Sequence, residues 1–189
     1  TFQPWLNAVA AVGMQAAAGY KGIVKKSVNI SGVTTAELDF NPKKVGDLER
    51  VLKSGLLPIE PINTGGFRYV SDQTTYSVDN NFVYNSLQAV YVADLITLDL
   101  IQTYDRLVVG KSVAQISAAA ALAILESKMS DYRILRWIAP STDAPLGYKN
   151  AKVKITGPAL LVDVEIKLAG LIYFVPIALT LSQVEQEAG

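Results

Sequence analysis

Val162-Asp163-Val164-Glu165-Ile166-Lys167-Leu168 alternates apolar and charged residues without a break. Successive side chains of a strand point to opposite faces, so this spacing predicts a strand with one buried and one wet face. Upstream, Val153 and Ile155 alternate with Lys152 and Lys154 in the same way. Downstream, Ala169-Gly170 reads as a tight reversal into the run Leu171 to Leu181, which is apolar on both faces. Pro176 has no amide hydrogen for a ladder, which places that last run at an edge or a bulge.

Ahead of these strands the period changes from two residues to between three and four. Ser112-Val113-Ala114-Gln115 has the spacing of a capping box and predicts a helix from there to about Met129. From Asn80 to Tyr104 the chain is apolar almost all round, with Val83, Leu87, Val90, Tyr91, Leu98 and Ile101 at helical spacing, and a buried helix is expected. Leu57–Ile62 and Phe67–Val70 read as short strands joined by Thr64-Gly65-Gly66, and Ile23–Ile30 as another. Asn41-Pro42 supplies a cap and a preset first turn for a helix with Val45, Leu48 and Leu52 on one face and Gly55 after it. Behind Pro4, Trp5, Val9, Val12 and Ala16 share a helical face, with Gly19 as the stop. The expected fold is α+β: a mixed β-sheet packed against several α-helices and ending in a C-terminal β-hairpin. No repeat or long linker divides residues 1–189, so one domain is expected, with Thr1 read as a fragment boundary.

Half of the 189 residues are hydrophobic, and 17 Lys and Arg balance 17 Asp and Glu. There is no His and no Cys. The commonest general base, the softer metal ligands, thiol nucleophiles and disulfides are therefore absent, and no metal or cofactor is expected. A zero net charge argues against direct nucleic-acid binding, which normally shows as a basic domain. The longest apolar run is far short of the ~20 residues that cross a bilayer, so no membrane span is expected.

Gly110-Lys111-Ser112 has the ending of a phosphate-binding loop, but the pattern needs a Gly where Asp105 stands and a strand leading in. The plain reading is a helix N-cap. Asp94 and Asp99 lie in an otherwise apolar stretch, where a buried carboxylate can acquire the raised pKa of a proton-transfer group. Five residues apart, they fall on different faces, so the enzyme reading built on them ranks below one in which they form the polar edge of a core helix or partner Arg106, Arg133 or Arg136. No catalytic residue is assigned.

Charge is more informative in its placement. Residues 71–105 hold five Asp and no basic residue, whereas residues 128–154 hold six Lys or Arg against two Asp. Two readings follow: the segments pair within one domain, or they form complementary patches on neighbouring copies and make assembly salt-sensitive. The apolar terminal run carries a similar choice. Such a strand is a pairing hazard unless covered, and charge comes only after it, at Glu185 and Glu187. It is either buried within the fold or added to a partner's sheet.

The order of segments resembles the C-terminal core domain of contractile tail sheath proteins of myovirus-type phages and related injection machines. Arg68-Tyr69-Val70-Ser71-Asp72-Gln73-Thr74-Thr75 is similar to that family's stretch before its long helix, and Tyr104-Asp105-Arg106-Leu107-Val108-Val109-Gly110-Lys111 to its link between helices. Val162 to Val184, with Leu171-Ile172-Tyr173-Phe174-Val175, resembles its closing hairpin and tail. The resemblance covers most of residues 60–189. It implies a structural subunit, not an enzyme, that forms stacked rings around a tail tube, meets a baseplate, and contracts to drive genome injection. The N-terminal arm and outer variable domains of the family have no counterpart here, as in a trimmed core from a giant phage of the phiKZ type. The implied location is the virion tail, assembled in the host cytoplasm, with a sheath subunit of a bacterial contractile secretion machine as the alternative. Terminal arms of the family add strands to a neighbour's sheet, which on this chain implicates Leu171, Tyr173, Val175, Ile177, Leu179, Leu181, Glu185 and Glu187 in subunit contact. The basic residues Lys128, Arg133 and Arg136 are candidates for the tube-facing surface. The oligomeric state of the isolated fragment is left open.

Overall fold

The computed structural model describes residues 4–28, 50–62, 64–76, 79 and 81–171. Its elements are α1 (Pro4–Ala18), a 3₁₀ turn (Gly19–Lys21), β1 (Ser27–Val28), β2 (Ile59–Pro61), β3 (Phe67–Tyr69), α2 (Phe82–Asn85), α3 (Leu87–Leu107), α4 (Ala118–Ile134), β4 (Tyr148–Thr156) and β5 (Ala159–Ile166). The class is α+β, as expected. The described strands lie in two small sheets, β1-β3-β2 and β4-β5, and every pairing is antiparallel.

Two apolar clusters organise the chain. The first gathers Ala11, Ile23, Val28, Ile59, Phe67 and Tyr69 beneath α1 and the three-stranded sheet. The second joins Val92 and Ile96 of α3 to Leu125, Met129 and Tyr132 of α4 and to Ile138, with the inner faces of β4 and β5 packed on it. The long helix α3 is common to both, since Leu87 packs on the first cluster and Val92 on the second.

The register of β4 on β5 pairs Val153 with Val162 and Ile155 with Leu160. The less exposed positions of β5 are Leu160, Val162, Val164 and Ile166, and the exposed ones are Ala159, Leu161, Asp163 and Glu165. That alternation is the one the sequence predicts, because only one face of the hairpin meets the helices. Gly157-Pro158 closes it, with Gly157 at φ +58°, which suits a two-residue hairpin turn. A bulge falls between Lys149 and Lys152.

The helices depart from expectation in informative ways. α1 ends where predicted, with Gly19 at φ +58°, but its Trp5–Val9–Val12 face is turned to solvent, each residue at least 60% exposed. The inward face is Ala11 and Gln15 instead, and the buried Gln15 amide donates to the Gly19 carbonyl at 2.8 Å, which satisfies a donor at the end of the helix. The Asn80–Tyr104 reading gives two helices: Ser86 breaks the run and caps α3 by accepting a hydrogen bond from the Ala89 amide at 3.2 Å. α3 is not buried all round either, since Leu98 and Ile101 lie on its solvent side.

α4 starts at Ala118 rather than Ser112. Ser117 is its N-cap, receiving the Ala120 amide at 3.1 Å. The Ser112 amide does donate to the Gln115 side chain at 2.9 Å, so half of the capping box exists, but it closes an isolated turn. Of the Asn41–Gly55 helix, the last turn at residues 50–53 is described and helical; the rest lies outside the described residues. Gly55 follows at φ +69°, where a Cβ would lie 2.8 Å from the Thr75 Cα, so both backbone conformation and space demand glycine there. β1 is shorter than the Ile23–Ile30 reading, whose last two residues are likewise outside the described set.

Candidate assembly surface

The hairpin stands on the second cluster, with its outer face in water. Among the described residues neither β4 nor β5 has a further strand partner in its sheet. A two-stranded sheet with nine- and eight-residue strands presents unpaired amides and carbonyls along its edges, a ready template for another strand. Beside it, a groove of about 780 Å³ runs between β5 and the C-terminal half of α3, closed at one end by the segment from Val108 to Ile116. Leu100, Tyr104, Val108, Ile155, Leu160 and Val162 make its apolar lining, with Asp105, Lys111 and Asp163 at its edges. Gly110 and Lys111 belong to this wall, and Gly110-Lys111-Ser112 follows a helix, not a strand.

Of the terminal residues singled out in the sequence, Tyr173, Val175, Ile177, Leu179, Leu181, Glu185 and Glu187 lie outside the described residues, and only Leu171 is among them. Leu171 sits against Gly22, at the far end of α3 from the groove.

The base of the hairpin is fixed by an ionic hub. The Asp143 carboxylate accepts from Ser141 Oγ at 2.6 Å, Lys149 Nζ at 2.8 Å and Lys167 Nζ at 2.9 Å. These donors hold its pKa well below the carboxylate range. Lys149 also reaches Glu165 at 3.3 Å, and its two carboxylate partners push its pKa up. The sequence carried no signal for this hub beyond the charges themselves.

The carboxylates flagged in the sequence do not converge. Asp94 is exposed, which corrects the expectation of burial. Asp99 accepts from Lys128 Nζ at 2.9 Å and Tyr132 Oη at 2.7 Å. Burial alone would raise its pKa, but these two donors and the nearby positive charges outweigh it and hold it below the ordinary value. The shift is thus opposite to that of a proton-transfer acid. Burial and the hydrogen bond to Asp99 push the Tyr132 phenol strongly up.

Asp72 is the buried carboxylate, 1% exposed. It receives Ser86 Oγ at 2.7 Å and the Gln88 amide at 3.0 Å, which locks the segment before α2 onto the start of α3. Among the described residues there is no group of three acidic side chains able to hold a metal ion, and no helix is long and apolar enough to cross a membrane.

The charge asymmetry resolves in part within the chain. Asp99 takes Lys128, so Lys128 is engaged and Arg133 and Arg136 are the tube-facing candidates left without an ion pair among the described residues. Asp94 and Asp105 are in the same state, exposed on α3.

No family model matches the chain. In sequence it is 22% identical over 120 residues to a tail sheath protein of Bacillus phage SP01, a match covering 64% of this chain and 20% of that protein. In fold it matches a chain of the contracted helical sheath of the anti-feeding prophage, AFP, with TM-score 0.65 and 12% identity over 93% of this chain and 49% of that one. A chain of the six-fold symmetrised AFP baseplate matches with TM-score 0.64 and 12% identity, over 83% of this chain and 44% of that one. The chain therefore spans a fifth of the curated relative and about half of each structural neighbour. The resemblance to contractile tail sheath proteins, read first from segment order, is supported by a curated relative and by fold.

Proposed function

We propose that this chain is the core of a contractile sheath subunit whose output is mechanical connection to copies of itself. The observation that carries the reading is the β4–β5 hairpin, whose edges lack a further strand among the described residues and which borders an apolar groove, in a fold similar to a chain of a contracted sheath. In this reading the segment Leu171–Leu181 of one subunit adds to the hairpin edge of another. Backbone hydrogen bonds supply connection, and alternate side chains such as Tyr173, Val175 and Ile177 fill the slot. Rings stack around a tail tube above a baseplate, and the strand links keep the lattice continuous while the domains change packing during contraction and genome injection. The subunit belongs to the virion tail and is assembled in the host cytoplasm. The AFP matches favour a second reading, a sheath subunit of a bacterial contractile secretion machine, with the same chemistry of connection.

Electron microscopy of the intact protein expressed alone tests the reading: long hollow polymers are expected, and Tyr173→Asp with Ile177→Asp is expected to abolish them while circular dichroism stays unchanged. An intact protein that remains solitary under all solution conditions overturns it.

A further inference from the structure

Two unsatisfied surfaces on this chain mirror each other. On α3, Asp94, Leu98, Ile101 and Asp105 follow at i, i+4, i+7 and i+11, so they form one stripe. All four are exposed, Leu98 at 56% and Ile101 at 52%, and the stripe faces away from the side of α3 that carries Val92 and Ile96 into the core. Its pattern is acid, apolar, apolar, acid. At the C-terminal end of α4, Arg133, Ile134, Leu135 and Arg136 are all exposed, with Ile134 at 75%. That pattern is basic, apolar, apolar, basic. None of the four charged residues forms an ion pair among the described residues.

The basic end has a second peculiarity. α4 terminates in a Schellman arrangement: the Trp137 amide donates to the Tyr132 carbonyl at 2.9 Å and the Arg136 amide to the Arg133 carbonyl at 3.1 Å, while Trp137 stacks on Tyr132 with ring centroids 5.5 Å apart. The position after the cap in that motif is left-handed and normally glycine. Here it is Arg136 at φ +60°. Backbone geometry favours another residue, and no bond of the described fold uses the guanidinium, so the side chain itself is what the position retains.

We infer that the α3 stripe of one copy docks on the Arg133–Arg136 end of α4 of a second copy. Charge complementarity selects the partner: the stripe carries only acids and the α4 end offers two arginines, so the contact is heterologous and repeats head to tail. The acids of α4 itself are Asp131, two residues before Arg133, and Glu126, two helical turns before it; they temper the basic end without an ion pair to it. The inference rests on the self-assembly reading and uses the outer face of α3, where Ile101 and Asp105 also border the groove beside the hairpin while Asp94 and Leu98 lie outside it; only the helix contact is restored by mixing the two charge-swapped variants.

Sedimentation velocity of the 189-residue chain at low and near-molar salt tests it. The pair Asp94→Arg and Asp105→Arg makes both surfaces basic; Arg133→Asp and Arg136→Asp makes both acidic. Each variant alone is expected to weaken association by about tenfold or more, and an equimolar mixture to restore it, because acidic and basic surfaces then alternate. Arg136→Gly is expected to weaken association without unfolding the chain. Variants that associate like the native chain, or a mixture that does not recover, overturn the helix contact and leave strand addition standing. A native chain that never associates at any salt or concentration overturns the contact, while polymers of the intact protein in the microscope separately decide the sheath reading.

Discussion

The two apolar clusters are built on different principles. The first mixes apolar and polar groups: Ile23, Ile59 and Phe67 are buried beside Ala11 and Gln15 of α1, Tyr69 donates to Asn7 Oδ1 at 3.0 Å, and nearby Asp72 ties Ser86 and Gln88 together in the interior. The second is a conventional apolar core in which Leu125, Met129 and Val92 are fully buried beneath an alternating hairpin. A polar lock fixes geometry, because its partners have few alternatives, whereas an apolar core supplies most of the free energy. The chain thus places its stability behind the hairpin and its precision at the entry to α3.

Leu125→Ala attacks the stronger side. Emptying that position should cost about 3 kcal/mol, within the range for buried leucines, and urea denaturation would read it as a lowered midpoint. Since α3 serves both clusters, a single transition is expected; two separated transitions would break the idea that the clusters are coupled.

Asp72→Ala attacks the polar lock. It leaves the Ser86 hydroxyl and the Gln88 amide buried without this acceptor, at a cost of about 2 kcal/mol. Asp72→Asn should recover part of the loss, and a full recovery would mean that the carboxylate charge contributes nothing.

The Asp99–Tyr132 contact sharpens the comparison through pH. The folded pKa of Asp99 lies below its ordinary value, so its contribution is complete above the carboxylate range and is lost as pH falls through the lowered value. Tyr132 is displaced upward, so its contribution is present below its ordinary value of about 10 and is lost as pH rises beyond it. Asp99→Asn should cost about 1 kcal/mol at neutral pH, reduced from a buried charged bond by partial exposure. It should also flatten the acid limb of a stability-against-pH curve; an unchanged acid limb would remove Asp99 from the account.

The smallest effect has the opposite sign. Arg136→Gly should stabilise by about 0.5–1 kcal/mol, because glycine adopts positive φ without the Cβ clash. Thermal unfolding would show it as a small upward shift, and a downward shift would mean that the arginine makes a contact within the fold.

The hairpin was readable in advance because the strand period is two and one face meets only helices, so Val162, Val164 and Ile166 could point only one way. The helix faces were not. In α1 the large residues Trp5, Val9 and Val12 suggest one side, and Ala11 and Gln15 occupy the buried one, because periodicity shows that a helix has an apolar face but not which face meets the rest of the fold. In α3 the apolar residues cover every side, so periodicity could not choose between Val92 and Leu98. Asp72 gave no local sign of burial, since its partners lie fourteen and sixteen residues on.

From the amino acids alone came the α+β class, the existence of most helices and strands, the exclusion of thiol and imidazole chemistry, and a segment order resembling that of sheath proteins. Those properties depend on composition and on contacts between near neighbours. Which face of each helix is buried, which carboxylate is ion-paired, and the meeting of α3 with the hairpin to form a groove were decided by tertiary packing. Each depends on residues brought together from distant parts of the chain, and no local pattern encodes that distance.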